Sequence, residues 1–396
     1  MSKASALLSA GLQHAQHIAA HLAAARIRDN TPACRLYYHK VWLVGDAVNE
    51  FSVPGRPDAS VFVEHRMIGK LRTEALNSIL RDLQRMTIES TNPAPATVHW
   101  AFAPMTDIAQ ARQYTWRLAH EHYENFTVVS HLVPKALRQD FCNIYAFCRT
   151  ADDLGDEVGN PQLALEYLAD FRRQTLDCYA GTTKTAVFTA LSETIQKHDI
   201  PQRPFLDLIS AFEQDQRVNR YETFAQVLDY CTRSADPVGR LVLYLAGYRD
   251  QQRQALSDKT CTALQLANFW QDVRRDILER NRIYLPADSM HKFEVDEQQI
   301  RQGRCDDHFR ALLKFEVDRC QTLFDEGRAL LPLIHRQLRS QISLFSAGGQ
   351  AILAAIRQQN YDTLSHRPSL SKARKISLMA RAMVAGALAV FAGGAH

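Results

Sequence analysis

From Asp107 to about residue 360, apolar residues recur three and four positions apart in segment after segment. This period constrains the fold more than any other feature of the chain. It is carried by DIAQARQYTWRLAHEHY, PKALRQDFCNIYAFCRTADDL, ALEYLADFRRQTLDCY, TAVFTALSETIQK, PFLDLISAFEQDQ, FAQVLDYCTRSA, VGRLVLYLAGY, CTALQLANFWQDVRRDI and DHFRALLKFEVDRCQTLFDEGRALL. Each segment offers one apolar stripe that must be buried against another element. Few segments alternate with period two, so the region is predicted to be an all-α domain of eight to eleven helices. Pro134, Pro201, Pro204, Pro237, Pro286 and Pro332 fall at or near the expected helix boundaries.

The flanks read differently. LYYHKVWLV (36–44) and ASVFVEH (59–65) have strand-like composition around the turn-rich SVPGRPD, and RTEALNSILRDLQRMTI (72–88) has helical spacing. The Pro-, Ser- and Thr-rich STNPAPATVHW marks a linker near residues 90–103. The expected organisation is an N-terminal extension without an assigned role (1–103), a helical catalytic domain (104–362) and a basic, then apolar, C-terminal segment (363–396). The opening MSKASALLSAGLQHAQHIAAHLAAARIR is interrupted by His14, His17 and His21, and it lacks the unbroken apolar run of a secretory signal.

Charge narrows the function classes. The net charge is +4, but no acidic residue follows Asp362, whereas Arg367, Lys372, Arg374, Lys375 and Arg381 do. Without them the body carries 42 basic against 43 acidic residues, which gives no footprint for nucleic acid. The apolar run from Ala382 to Gly394 is well short of the roughly 20 residues that span a bilayer. A basic helix leading into that run suits an anionic membrane surface, and it equally suits a terminal helix docked on the body. The eight cysteines, at positions 34, 142, 148, 178, 231, 261, 305 and 320, form no CxxC pair and read as reduced, mostly buried thiols of a cytoplasmic protein. No GxGxxG unit follows a strand, so no nicotinamide domain is expected.

The chemistry resides in two acidic stretches more than a hundred positions apart. In RTADDLGDE, Asp152 and Asp156 share a helix face, with Asp153 beside them and Glu157 at the edge. In QLANFWQDVRRD, Gln265, Asn268, Asp272 and Asp276 form a polar stripe among Ala263, Leu264, Leu266, Ala267, Phe269 and Trp270. Like charges one turn apart repel by about 0.2–0.5 kcal/mol even on a surface, and more when desolvated. Paired hard oxygen donors of this kind suit Mg²⁺, which joins one or two carboxylates to a substrate phosphate. DxxxD also occurs on ordinary solvated helices; the apolar surround of the second stretch is what argues for a site. Arg149, Arg274, Arg275 and Arg282 could neutralise a departing diphosphate, although only one of Arg274 and Arg275 can readily face the same way as the acids. Such a site favours ionisation over acid–base hydrolysis.

The ordered motifs NFTVVSHLVP, YAFCRTADDLGDE, YCTRSADPVGR, QLANFWQDVRRD and NRIYLP resemble the squalene and phytoene synthase family over about residues 107–360. The resemblance implies an isoprenoid-synthase helical bundle with a central cavity, several Mg²⁺ ions and a prenyl diphosphate substrate. It implies metal ligation by Asp152, Asp153, Asp156, Asp272 and Asp276, and substrate binding by Ser130, Arg149, Gln265, Asn268 and Arg282; Arg275 joins the substrate-binding candidates from its place inside the second acidic stretch. Tyr145, Tyr230 and Tyr284 match positions that could orient water or stabilise a cation, and sequence does not rank them. Gln271 departs from the Arg that many relatives carry there. The ENF-x-V-x-S segment is similar to the bacterial hopanoid-pathway branch that converts presqualene diphosphate and water to hydroxysqualene and diphosphate. Head-to-head condensation of two farnesyl diphosphates and an inactive helical scaffold are the competing readings. A cytoplasmic enzyme, peripheral at the inner membrane through its tail and neighbouring other hopanoid-pathway enzymes, completes the expectation.

Overall fold

The computed structural model describes residues 46–53, 56–65, 102–122 and 133–370. The chain divides into two compact units, Met1–Ala96 and Thr97–His396. In the first, β1 (Asp46–Val53) pairs antiparallel with β2 (Arg56–His65), with Phe51 opposite Val61 and Ser52 opposite Ser60. The strand-like ASVFVEH lies in β2; LYYHKVWLV and the 72–88 stretch lie outside the described residues. The partner of β2 is DAVNEFSV, which is separated from LYYHKVWLV by Gly45 alone.

The second unit is all-α. Its described helices are α1 (Ile108–His122), α2 (Arg138–Asp156), α3 (Pro161–Tyr179), α4 (Ala186–His198), α5 (Arg203–Asp215) and α6 (Phe224–Ser234). They continue with α7 (Asp236–Leu245), α8 (Gln251–Glu279), α9 (Ala287–Lys292), α10 (Glu297–Gln302), α11 (Asp307–Gly327) and α12 (Arg336–Gln358). The nine segments with helical spacing all fall in helices. Twelve described helices exceed the expected eight to eleven because α9 and α10 have six residues each, too few turns to show a period. The prolines act through geometry: Pro161, Pro204 and Pro237 occupy first-turn positions, where a missing N–H forfeits no intrahelical bond. Asn160, Asp250 and Asp306 cap α3, α8 and α11 by accepting a backbone N–H three residues on, each at 3.0 Å.

Two apolar centres hold the acidic helices in place. Around α2, Phe147 meets Phe171 at 4.9 Å and Phe205 at 4.8 Å between ring centroids, and Phe188 closes the cluster. Around α8, Trp270, Leu266 and Ala267 pack with Phe309, Leu313 and Val317 of α11, all essentially inaccessible to solvent. α7 approaches α8 at Gly239, where a Cβ would lie only 2.5 Å from Cys261 Sγ. After α12 the chain returns to α8: Leu364 and Pro368 are buried, so residues 363–370 belong to the packed body. No described helix is long and apolar enough to cross a membrane.

Candidate active site

Both acidic motifs lie at the C-terminal ends of their helices. Asp152, Asp153 and Asp156 occupy the last turn or so of α2, and Asp276 begins the last turn of α8, one turn after Asp272. Helix carbonyls concentrate negative potential there, so carboxylates at these positions are disfavoured unless cations meet them. Burial and then Asp156 push Asp152 up to about 6, and burial and then Asp272 push Asp276 up to about 7. The two pairs are poised for positive charge.

Arginines supply part of it. Arg149 reaches Asp152 at 3.4 Å and also pairs with Asp153, whose side chain is only 6% exposed. At the end of α8 the backbone N–H groups of Arg280 and Arg282 both donate to Asp276 O at 3.0 Å, and Asn281 between them is left-handed at φ 53°. This turn sends both guanidinium groups back to α2, with Arg280 Nη2 2.9 Å and Arg282 Nη1 3.2 Å from Asp156. Arg280 is close enough to favour the charged form of both Asp152 and Asp276, so the two motifs share one counter-charge.

An aromatic wall adjoins this pole. Tyr284 stacks on Phe269 at 3.6 Å with the rings 4° from parallel, and Tyr221 and Tyr230 complete the group at 5.6–5.8 Å. Tyr230 donates its hydroxyl hydrogen to Asp215 Oδ2 at 2.9 Å, and Arg282 Nη1 lies 3.5 Å from the same oxygen. Burial raises Asp215 to about 7, and among the described residues its Oδ1 has no hydrogen-bond partner. Burial and then Asp215 lift the Tyr230 phenol well above its ordinary range, so it stays a donor. Tyr230, Asp215, Arg282 and Asp156 thus form a chain from the aromatic wall to the first acidic motif.

The other sequence candidates separate. Gln265 is half-buried and Asn268 exposed on α8, in register with Asp272 and Asp276, while Tyr145 packs beside Ala119 and Cys142. Ser130 lies outside the described residues. Arg275 is exposed and ion-paired with Glu279 at 2.8 Å, and Arg274 donates to Leu364 O at 3.0 Å. Neither is joined to the Asp156 cluster. Gln271 is buried and donates to Pro368 O at 2.6 Å, which turns it toward the returning C-terminal strand of chain. Sequence reading missed Asp215, Arg280, Tyr221 and Arg367. Arg280 was legible in principle, two positions before Arg282 in ERNRIYLP; Asp215 carries no spacing signal, because its partners come from α6 and from beyond α8.

No three Cys, His, Asp or Glu side chains among the described residues converge as a ready-made metal cage. Mg²⁺ rarely uses such a cage, taking one or two carboxylates and completing its octahedron with water and phosphate. Two carboxylate pairs at helix C-termini, one member of each driven up toward neutrality, fit that ion.

An all-helical bundle that presents paired aspartates and arginines beside an aromatic wall defines a protein built to hold a polyanion through cations next to apolar surface. A family profile for squalene/phytoene synthase matches residues 119–374, and the chain belongs to that family. Membership makes it an isoprenoid synthase working on prenyl diphosphates. It is similar to the 15-cis-phytoene synthase of Synechococcus elongatus, 29% identical over 73% of this chain and 97% of the relative. It is also similar to the hydroxysqualene synthase of Sinorhizobium fredii, 30% identical over 63% of this chain and 84% of the relative. The crystal structure of squalene synthase HpnC from Alicyclobacillus acidocaldarius superposes with a TM-score of 0.62 at 45% identity, covering 64% of this chain and 96% of that one.

Proposed function

We propose that the protein converts presqualene diphosphate and water to hydroxysqualene and diphosphate. The observation that carries this reading is the chain Tyr230–Asp215–Arg282–Asp156, which joins a wall of aromatic faces to a cluster of acids and arginines. Likeness to the hydroxysqualene synthase and to HpnC, at 30% and 45% identity, supports the choice within the family.

Asp152, Asp156, Asp272 and Asp276 would hold Mg²⁺, with Asp153 fixed to Arg149 beside them. Bound there, Mg²⁺ supplies charge neutralisation for a leaving diphosphate. Arg149 and Arg282 bind diphosphate oxygens, and Gln265 and Asn268 extend the polar stripe of α8. The bond between the cyclopropylcarbinyl carbon and the diphosphate oxygen breaks, and its electron pair leaves with diphosphate. The faces of Tyr284, Phe269, Tyr221 and Tyr230 stabilise the rearranging cation through their quadrupoles and keep bulk water away. One water then adds its oxygen to the cation and loses a proton, which leaves with diphosphate. Tyr230 keeps its hydrogen toward Asp215 and so presents its oxygen lone pairs to that water or cation. The basic, apolar C-terminal segment would keep the enzyme at an anionic membrane surface, where an almost wholly apolar product can be taken up by the next enzyme of hopanoid synthesis.

Likeness to phytoene synthases favours a second reading, condensation of two prenyl diphosphates. Purified protein with Mg²⁺ is incubated separately with farnesyl diphosphate and presqualene diphosphate, and products are identified by mass spectrometry. Hydroxysqualene from the second substrate is the expected result. Turnover of farnesyl diphosphate alone would overturn the reading in favour of condensation.

A further inference from the structure

Arg367, in the stretch that follows α12, grips Asp272 of α8 with the Nε–Nη2 edge of its guanidinium: Nε meets Oδ1, and Nη2 donates to Oδ2 at 2.9 Å. The fork engages both carboxylate oxygens of the second acidic motif. The backbone on either side is pinned to the same helix, since Arg274 Nη1 donates to Leu364 O at 3.0 Å and Gln271 Nε2 donates to Pro368 O at 2.6 Å. Leu364 and Pro368 are buried, yet the Arg367 side chain between them remains 49% exposed. The strap is therefore fixed at both ends, while its guanidinium, held among the described residues only by Asp272, lies half open to water.

We propose that Arg367 is a resident cation for Asp272, neutralising it in the metal-free protein and releasing it when a divalent ion loads, while the strap stays anchored. The inference rests on the reading of Asp272 as a metal-holding residue. A Mg²⁺ ion lies about 2.1 Å from a carboxylate oxygen. Placed on a carboxylate already held by a forked guanidinium, the ion meets a second cation within a few ångströms, and the repulsion between them weakens its binding while the fork is closed. Arg367 thus stands in for the ion, holding down the repulsion between Asp272 and Asp276 that would otherwise act before loading. Gln271 gains a role on the same grounds: it anchors the strap that delivers Arg367 and does not face the acids.

Mn²⁺ titration of the full chain without substrate, with free ion followed by electron paramagnetic resonance, tests the exchange. Arg367→Gln removes the competing cation, and its tightest Mn²⁺ site should bind about three- to tenfold more strongly than in the parent. Arg367→Lys keeps a charge but not the fork and should fall between the two. Circular dichroism checks that both variants fold. Unchanged or weaker binding by both folded variants, with the parent binding Mn²⁺ normally, would overturn the role of Arg367 and leave the metal reading of the aspartates intact. Absence of Mn²⁺ binding in parent and variants alike would remove the metal reading and this inference with it.

Discussion

Asp236→Asn should stabilise the protein at alkaline pH and destabilise it in acid. Asp236 opens α7 with 4% of its surface exposed, and its Oδ1 accepts the Thr262 hydroxyl hydrogen at 2.7 Å. Its natural counter-ion is already engaged, because Arg240 one turn along holds Asp258 through two hydrogen bonds of 3.0 and 2.7 Å. Burial, and then the Asp258 charge, raise Asp236 to about 7. Its value in the unfolded chain is about 3.9. The folded state therefore holds the extra proton between these limits, and stability falls as pH rises from about 4 to about 7. Three units correspond to at most about 4 kcal/mol of charge burial above pH 7. Asparagine keeps the acceptor for Thr262 and abolishes the charge, but its amide brings N–H groups that cost about 1–3 kcal/mol if left unbonded. The net expectation at pH 8 is a gain of about 1–3 kcal/mol, falling near pH 4.5 to a loss of up to about 2 kcal/mol. Urea unfolding of both proteins at half-unit steps from pH 4.5 to 8.5 measures the difference directly. A difference that does not vary with pH, or a variant less stable at pH 8, would refute the assignment of a buried, unpaired charge to Asp236.

Other expectations concern different parts of the molecule. Asn143 ties three helices together: its Oδ1 accepts from Thr115 at 2.6 Å, and its Nδ2 donates to Ala190 O and Thr194 Oγ1 at 3.0 Å. Asn143→Ala should cost about 2–4 kcal/mol, read by chemical denaturation, because it strands several buried partners at once. Asp276→Asn should lower turnover about a hundredfold or more while circular dichroism stays unchanged, since it removes one of the two carboxylates at the end of α8. Ending the chain after Leu370 preserves the packed strap and removes the basic, apolar remainder. Such a protein should retain its melting temperature and lose sedimentation with anionic liposomes; equal sedimentation would take the tail out of the membrane argument.

Sequence and structure differ here in a physically orderly way. The period of 3.6 residues determined the helices because each must bury one stripe, and Pro204 and Pro237 marked helix starts because a missing N–H forfeits no bond in a first turn, whereas Pro332 falls inside a short 3-10 helix, Arg328–Leu333. One-turn spacing was equally enough to put Asp152 with Asp156 and Asp272 with Asp276, since neighbours on a helix face are fixed by local geometry. Short elements escaped: α9 and α10 are too brief to show a period, and β1 formed from DAVNEFSV. Partners between helices escaped as well. Nothing local tells that Arg282 crosses to Asp156, that Tyr230 donates to Asp215, or that Gln271 bonds the backbone of Pro368. Arg275, adjacent to Arg274 in sequence, turned to Glu279 because α8 rotates about 100° per residue, which sends neighbouring side chains to different surroundings. The sequence by itself therefore determined the helices, the acid pairs and the separation of a near-neutral body from a basic tail. Only the tertiary structure decided which cation meets which acid, because that depends on where the chain turns after α8 and after α12. Those turns bring Arg280 and Arg282 to the first motif and Arg367, 95 positions along, to the second.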